Sequence, residues 1–374
     1  MSELQTFDEQ AFLDRDVVCL LGLPFDVVDL RQSVEILRRA ARERRPCWLS
    51  TPNLNFLIGA RSDPAFRQSV LVSDLSVADG MPIIWLARLL GLPLRERVAG
   101  SDLFEALHGE QDDQPVKAYF FGGPDGAAEA ACRQVNARNS ALRCVGFQSP
   151  GFGTLDSMST DQVIGDINAT GPDFVVVSLG AKKGQAWIGH NRSRLGAPLV
   201  SHLGAVVNFE AGTVRRAPPF WRRVGMEWLW RILQEPALWR RYAGDAAAVL
   251  PMLWHHVRPL AWARLSGGQG RDQGLQARLE DVGQGRQCLT LSGNCTVSHL
   301  HDLRQACQNA LAGSGPLDID MSAVTELDAH GMGMLLLAQA VWLRRDMPCQ
   351  VVAASARARS RLLQHGCADL LASA

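Results

Sequence analysis

The sequence predicts an α/β protein made of a parallel-sheet domain, a helical appendage and a second, smaller α/β domain. Three observations carry that prediction. Apolar, β-branched runs alternate with segments of helical spacing over the first two thirds of the chain, the pattern of strands buried on both faces. Between Val214 and Arg264 the composition turns to tryptophan and arginine. The Gly-rich polar run Ser266 to Gly274 then precedes a fresh strand–helix alternation.

The elements follow in order. Val17 to Leu23 is a short apolar run ending in Gly-Leu-Pro and reads as the first strand. Ser33 to Arg44 places Val34, Ile36, Leu37, Ala40 and Ala41 at helical spacing. Cys47 to Ser50 is a short strand before Thr51-Pro52. Val116 to Phe121 is a strand closed by Gly122-Gly123-Pro124-Asp125, and the Ala-rich stretch Gly126 to Arg138 is a helix. Leu142 to Phe147 and Phe174 to Leu179 are further strands. A Rossmann-like domain therefore spans residues 1–213, and its ligands belong beyond the carboxyl ends of the strands.

Residues 214–265 form the appendage, with six of the ten tryptophans and nine arginines against Glu227, Glu235 and Asp245. Its patterning is helical, with breaks expected at Pro236, Pro251 and Pro259. Residues 266–274 are the linker. Residues 275–374 restart as strands at Leu275–Glu280, Gln287–Leu291, Leu317–Asp320 and Gln350–Ala353, with helices at Val297–Leu311, His330–Arg345 and Ala356–His365. About 100 residues suffice for an independent domain.

Composition narrows the function. Lys+Arg and Asp+Glu are both 38, which excludes a protein that coats nucleic acid through its overall charge. The nine cysteines form no C-x-x-C pair and no zinc-spaced cluster, and an odd count without a signal peptide reads as buried, reduced thiols in a cytoplasmic protein. No export signal and no apolar run of spanning length is visible.

Several local motifs carry chemistry. Thr51-Pro52-Asn53 follows a strand and supplies a hydroxyl and an amide. Ala78-Asp79-Gly80 sets a carboxylate beside a glycine, fit to act as a general base or simply to form a turn. Arg97 precedes Gly100-Ser101-Asp102, where Ser101 reads as a helix N-cap or the helix start holds a phosphate. Phe121-Gly122-Gly123 is a glycine-rich turn suited to a diphosphate, but without the G-x-G-x-x-G pattern of a dinucleotide site.

In this order the motifs resemble the WecG/TagA/CpsF family of bacterial glycosyltransferases. The resemblance runs from about Val17 to Arg241 and takes in Arg97-Val98-Ala99-Gly100-Ser101-Asp102-Leu103, Leu179-Gly180, Gly204 to Gly212, Arg216-Ala217-Pro218 and Glu227-Trp228-Leu229-Trp230-Arg231. It implies transfer of a sugar from a UDP-sugar to a polyprenyl-diphosphate-linked acceptor in polysaccharide biosynthesis, with inversion, no cofactor and no bound metal. It places the chain in the cytoplasm at the inner face of the cell membrane.

Carried over residue by residue, the resemblance makes Asp79 the base, with Thr51 and Asn53 beside it. Arg97, Gly100, Asp102, Gly122, Gly123, Gly180, Lys183 and Asn208 fall on the donor and phosphate site. Arg215, Arg216, Arg222, Arg223, Arg231, Arg240 and Arg241, with Trp254 and Trp262, are available for the acceptor and the membrane surface. The tryptophans equally suit a packed helical subdomain.

Two positions depart from the family. Lys182-Lys183-Gly184-Gln185 stands where members commonly carry Pro-Lys-Gln-Glu, and Asn208 stands where they commonly carry aspartate. These departures motivate an alternative, a catalytically inactive sugar-nucleotide scaffold.

The C-terminal run Leu317 to Val324, with Leu327-Asp328-Ala329-His330-Gly331-Met332-Gly333, resembles the STAS family. The resemblance implies a non-catalytic docking or regulatory module with a protein partner. His330 stands where related antagonists carry a phosphorylated serine. A homo-oligomer is left open.

Overall fold

The structure is a computed structural model that describes residues 4–109, 114–138, 140–151, 153–214, 216–218, 220–221, 225–234, 238–265, 273–283 and 285–372. Its first strands, β1 (Val17–Leu20) and β2 (Leu23–Asp26), form an antiparallel hairpin outside the main sheet. The apolar run Val17–Leu23, read from sequence as one strand of that sheet, is thus corrected. The turn residues Leu21 (φ 52°) and Gly22 (φ 90°) both adopt positive φ, as two-residue hairpin turns require.

The main sheet contains β3 (Cys47–Ser50), β4 (Leu75–Ser76), β5 (Val116–Gly122), β6 (Leu142–Gln148), β7 (Phe174–Ser178) and β8 (Leu199–His202). All neighbours pair in parallel, in the order β4-β3-β8-β7-β5-β6. Along β7, Phe174 and Val176 join one core cluster while Val175 and Val177 join another across the sheet. Both faces are apolar, which explains the continuous rather than alternating sequence run. The chain steps outward from β3 to β4, then to the opposite side through β5 and β6, so the strand order reverses near β3 and β8, the place where ligands of such sheets bind, beyond the carboxyl ends of the strands.

Ten helices accompany these strands among the described residues: α1 (Glu9–Leu13), α2 (Leu30–Glu43), α3 (Leu54–Ser62), α4 (Pro64–Leu71), α5 (Met81–Leu90), α6 (Gly100–His108), α7 (Ala127–Ala137), α8 (Asp161–Ala169), α9 (Ala181–Asn191) and α10 (Val206–Glu210). Helix α2 buries Val34, Leu37, Ala40 and Ala41 and starts from a capping box formed by Asp29 and Gln32. Cys132 on α7 and Cys144 on β6 form a disulfide, which corrects the reading of all nine cysteines as thiols. The two side chains meet because α7 packs directly against β6.

The appendage comprises the helix Glu227–Gln234 and a continuous rod through Leu238–Met252, Leu253–Val257 and Arg258–Leu265. Pro251 and Pro259 do not break this rod; the five residues after Met252 widen into a π-helical turn instead. Pro236 lies outside the described residues. Met252, Val257 and Leu260 bury against residues of α3 and α5.

In the C-terminal domain the sheet order is β12-β11-β10-β9, with β9 (Gln276–Gly283) antiparallel to β10 (Arg286–Cys295), and β11 (Leu317–Leu327) and β12 (Cys349–Ala354) parallel. Its helices are Leu300–Ala310, Ala329–Arg344 and Ala356–Gln364. The sequence reads this unit as free-standing, but its core continues into the N-terminal segment. Phe12, Leu13, Val17 and Cys19 share one apolar cluster with Leu335, Leu336 and Trp342. The helix Ala329–Arg344 is buried from Ala329 to Trp342 except at His330, so this helix itself presents no broad open face.

Glycine makes that contact possible. A Cβ on Gly333 would overlap the carbonyl of Val17, and one on Gly331 would overlap the carbonyl of Cys295. Ion pairs rim the junction: Arg344 with Asp74 at 2.7 Å, Arg345 with Glu9 at 2.5 Å, and Arg67 with Asp369. The His256 Nδ1–H donates to the Gln364 carbonyl at 3.0 Å, so Arg61 donates to the other ring nitrogen at 2.9 Å.

Candidate active site

The crevice is assembled from the carboxyl ends of the strands. Thr51 and Asn53 follow β3, and Asp79 follows β4. The Asp79 N–H donates to the Pro52 carbonyl at 3.0 Å, which fixes the two loops side by side. Val98 N–H then donates to the Ala78 carbonyl at 2.8 Å and brings Arg97 beside Asp79.

Arg97 is the electrostatic centre. It donates to Asp102 and to Glu227, each at 2.5 Å. Burial opposes its charge, but the carboxylates of Asp102, Glu227 and Asp79 outweigh burial and raise its pKa. Arg216 donates to the other oxygen of Asp102 and to Ser101 Oγ at 3.3 Å. Glu227 opens the appendage helix, so this pair ties the appendage to the sheet. Gly225 does the same by contact: a Cβ there would lie 2.8 Å from the Met81 side chain. Sequence reasoning placed Glu227 in a motif without a role; its reach to Arg97 spans 130 residues.

Helix α6 begins at Gly100 with Ala99 in the cap position, so Ser101 is not the N-cap that the sequence suggests. Its hydroxyl faces Arg216 instead. A Cβ on Gly100 would stand 2.6 Å from Leu203 and 3.7 Å from Thr51 Cγ2, so glycine lets this helix start approach β3 and β8. Asn53 Oδ1 accepts from Phe56 N–H at 3.2 Å and caps α3.

The glycine turns divide into two kinds. Gly123 N–H already donates to the Ser178 carbonyl at 2.8 Å, and a Cβ on Gly122 would lie 2.5 Å from that oxygen. These two residues pack β5 against β7. Gly180 (φ 81°) caps α9 without a side-chain bond and has nothing within 4 Å of its Cβ position. Lys183 Nζ donates to the Gly153 carbonyl and so pins the loop after β6. Gln185 is buried and its amide donates to Ser50 Oγ at 3.0 Å. Asn208 on α10 has a buried Oδ1 with no hydrogen-bond partner among the described residues.

Of the arginines proposed for the acceptor, Arg215, Arg222 and Arg223 and the side chains of Arg231 and Arg241 lie outside the described residues. Arg240 lies 5.9 Å from the Trp239 ring, and Arg258 lies 4.4 Å from the Trp254 ring. Trp254 and Trp262 are 62% and 73% exposed, too open to be core, with Leu250 and Leu265 also exposed on the same rod. No helix among the described residues is long and apolar enough to cross a membrane.

One His–carboxylate cluster, Glu105, His108 and Glu210, could hold a cation among the described residues. Arg138 lies 3.3 Å from Glu105 and 3.5 Å from Glu210, so a guanidinium already supplies positive charge there.

Fold and crevice together define a Rossmann-like α/β protein with its polar groups gathered at the carboxyl edge of the sheet. The chain belongs to the glycosyl transferase WecG/TagA/CpsF family, whose model matches residues 18–261. Residues 281–372 match the model described as Mlab, STAS domain.

Two curated relatives carry the name N-acetylglucosaminyldiphosphoundecaprenol N-acetyl-beta-D-mannosaminyltransferase. That of Bacillus spizizenii is 27% identical over 215 residues, covering 57% of this chain and 81% of the relative. That of Bacillus subtilis is 25% identical over 194 residues, covering 52% and 73%.

Proposed function

We propose that the protein moves a sugar from a UDP-sugar to a lipid-diphosphate-linked acceptor in bacterial surface-polysaccharide assembly. The observation that carries this reading is Asp79 at the carboxyl edge of the sheet, held beside Arg97 in a chain of that family. The named substrates of the two relatives, a diphosphoundecaprenol acceptor and an N-acetylmannosaminyl group, support it.

In this reading Asp79 takes the proton of an acceptor hydroxyl as that oxygen bonds to the anomeric carbon. The bond from that carbon to the diphosphate breaks on the opposite face, and its electron pair leaves with UDP. Inversion follows from this single displacement. Thr51 stands beside the base.

The leaving diphosphate needs positive charge. Arg97 and Arg216 are already matched by Asp102 and Glu227. In this reading stabilisation falls to the backbone N–H groups at the start of α9, where the N-cap Gly180 makes no side-chain bond. Metal independence is part of the proposal. The exposed Trp254 and Trp262, flanked by Arg258 and Arg264, suit a surface resting on anionic headgroups at the inner membrane face.

The test is a transfer assay. Purified protein, a UDP-N-acetylhexosamine and a short-chain polyprenyl-diphosphate N-acetylglucosamine acceptor are incubated with and without chelator. Glycosylated lipid in both arms is expected. Donor binding with no transfer to any such acceptor would instead support the inactive scaffold motivated by Gly184, Gln185 and Asn208.

A further inference from the structure

We propose that His202 is the residue that reads the donor sugar, and that it selects a neutral sugar bearing hydroxyl or acetamido groups over a uronic acid. The inference rests on the crevice being the donor site, as proposed above.

His202 ends β8, the strand between β3 and β7, at the carboxyl edge of the main sheet. Its ring lies against the first turns of α9. A Cβ at position 184 would overlap the ring, with His202 Cγ only 2.9 Å away. Glycine inside a helix is less stable than alanine, so Gly184 carries a cost that the space taken by the imidazole explains. Gly204 clears the other edge, where a Cβ would lie 3.1 Å from Nε2. The two glycines leave room for one aromatic ring that no other side chain fills.

The ring is not held there by polar contacts. None of the described side-chain hydrogen bonds involves the His202 ring, and Nε2 is buried without a partner. A buried polar atom without a partner costs free energy, and such sites are resolved by water, by a ligand or by function. Burial lowers the pKa of His202 to about 4, so the ring is neutral at physiological pH.

A neutral imidazole offers one N–H donor and one lone pair. That pair matches a hydroxyl or an amide, each of which both donates and accepts. A carboxylate can accept from the N–H but has no proton for the lone pair, and it would bring a buried negative charge. The cation on the facing helix, Lys183, is engaged by the Gly153 carbonyl, and Lys182 is engaged by Asp63 at 3.1 Å. Nothing described beside the ring would neutralise a uronate.

The experiment compares wild type with His202→Phe, which keeps a ring against Gly184 and removes both nitrogens, and with His202→Asn, which restores a donor and an acceptor. Affinities for UDP, a UDP-N-acetylhexosamine and a UDP-uronate are measured by calorimetry, with transfer rates alongside. Wild type is expected to favour the neutral donor over the uronate by at least tenfold. His202→Phe is expected to lose about tenfold in affinity for the neutral donor while binding UDP as before, and His202→Asn to regain part of it.

Unchanged affinity for the sugar in a folded His202→Phe protein would overturn the inference, as would a preference for the uronate. Both leave the proposed function standing. If wild type binds no UDP-sugar at all, the functional reading fails and the inference falls with it.

Discussion

Gly333 and Gly180 show what separates the two important regions of this molecule. Gly333 lies where the C-terminal helix Ala329–Arg344 meets the N-terminal hairpin, and a Cβ there would strike the Val17 carbonyl. Gly180 lies at the carboxyl edge of the main sheet, with nothing within 4 Å of its Cβ position. One glycine permits two backbones to touch. The other leaves a backbone turn open to whatever enters the crevice.

The surroundings follow the same division. Around Gly333, Leu335, Leu336 and Trp342 pack with Leu13 and Val17 in one core. At the carboxyl edge of the main sheet and just beyond it, buried polar atoms on His202 and Asn208 lack partners among the described residues. The core of the first region is closed, although open cavities flank it, one against Arg67, His256 and Gln364 and one against Gln5 to Gln10; in the functional reading proposed above, the second region receives the ligand.

The largest effect expected from breaking this contrast is on the crevice side. Asp79→Asn should lower transfer by about 10²–10⁴-fold, the usual range for a lost general base, with no change in unfolding temperature. Rates and thermal melts on the same preparation check it. Near-normal transfer would remove Asp79 from the mechanism.

Acid should find the crevice next. The unfolded His202 titrates near the ordinary value of about 6.5, but the folded ring titrates at about 4. Between those values the unfolded state binds the extra proton, so stability falls as pH drops through that window, by up to about 3 kcal/mol. Urea unfolding of wild type and His202→Phe at pH 7 and pH 4.5 checks the sign. The wild-type loss should exceed that of the variant, because every other acid-sensitive group is common to both.

On the closed side, Gly333→Ala should cost about 1–3 kcal/mol, the scale of overpacking, with UDP affinity unchanged in the folded fraction. Denaturant unfolding with a parallel UDP titration reads both quantities. A neutral substitution would mean that the hairpin and the C-terminal helix are not locked together.

The appendage gives the smallest change. Replacing Trp254 and Trp262 together by alanine should weaken partitioning onto anionic vesicles by roughly tenfold. Sedimentation with vesicles measures it, and soluble-donor binding should not move.

How much of this was legible in the sequence depends on the range of the interactions. The strand Phe174–Ser178 and the helix Leu30–Glu43 follow from local period and capping, so both were readable within a few residues. Asp79, Arg97 and Thr51 were readable as an ordered series of motifs, and the fold brings them to one edge. The hairpin was not readable, because Val17 to Leu23 is uniformly apolar and its turn depends on Leu21 adopting positive φ. The need for Gly333 was hidden, since the carbonyl it admits lies more than 300 positions earlier. The role proposed for His202 is not legible in the sequence, where it is a lone histidine after an apolar run. Gly184, a glycine early in a helix, is the available signal.

The central claim is that ligand chemistry belongs to the carboxyl edge while the junction with the C-terminal domain is structural. Amide hydrogen exchange on the whole chain, with and without saturating UDP, tests it most directly. The account predicts slowed exchange at residues 78–81, 97–102, 178–184 and 202–208, with residues 17–26 and 329–344 unaltered. Protection confined to the junction, or absent from the crevice while UDP is bound, would contradict it.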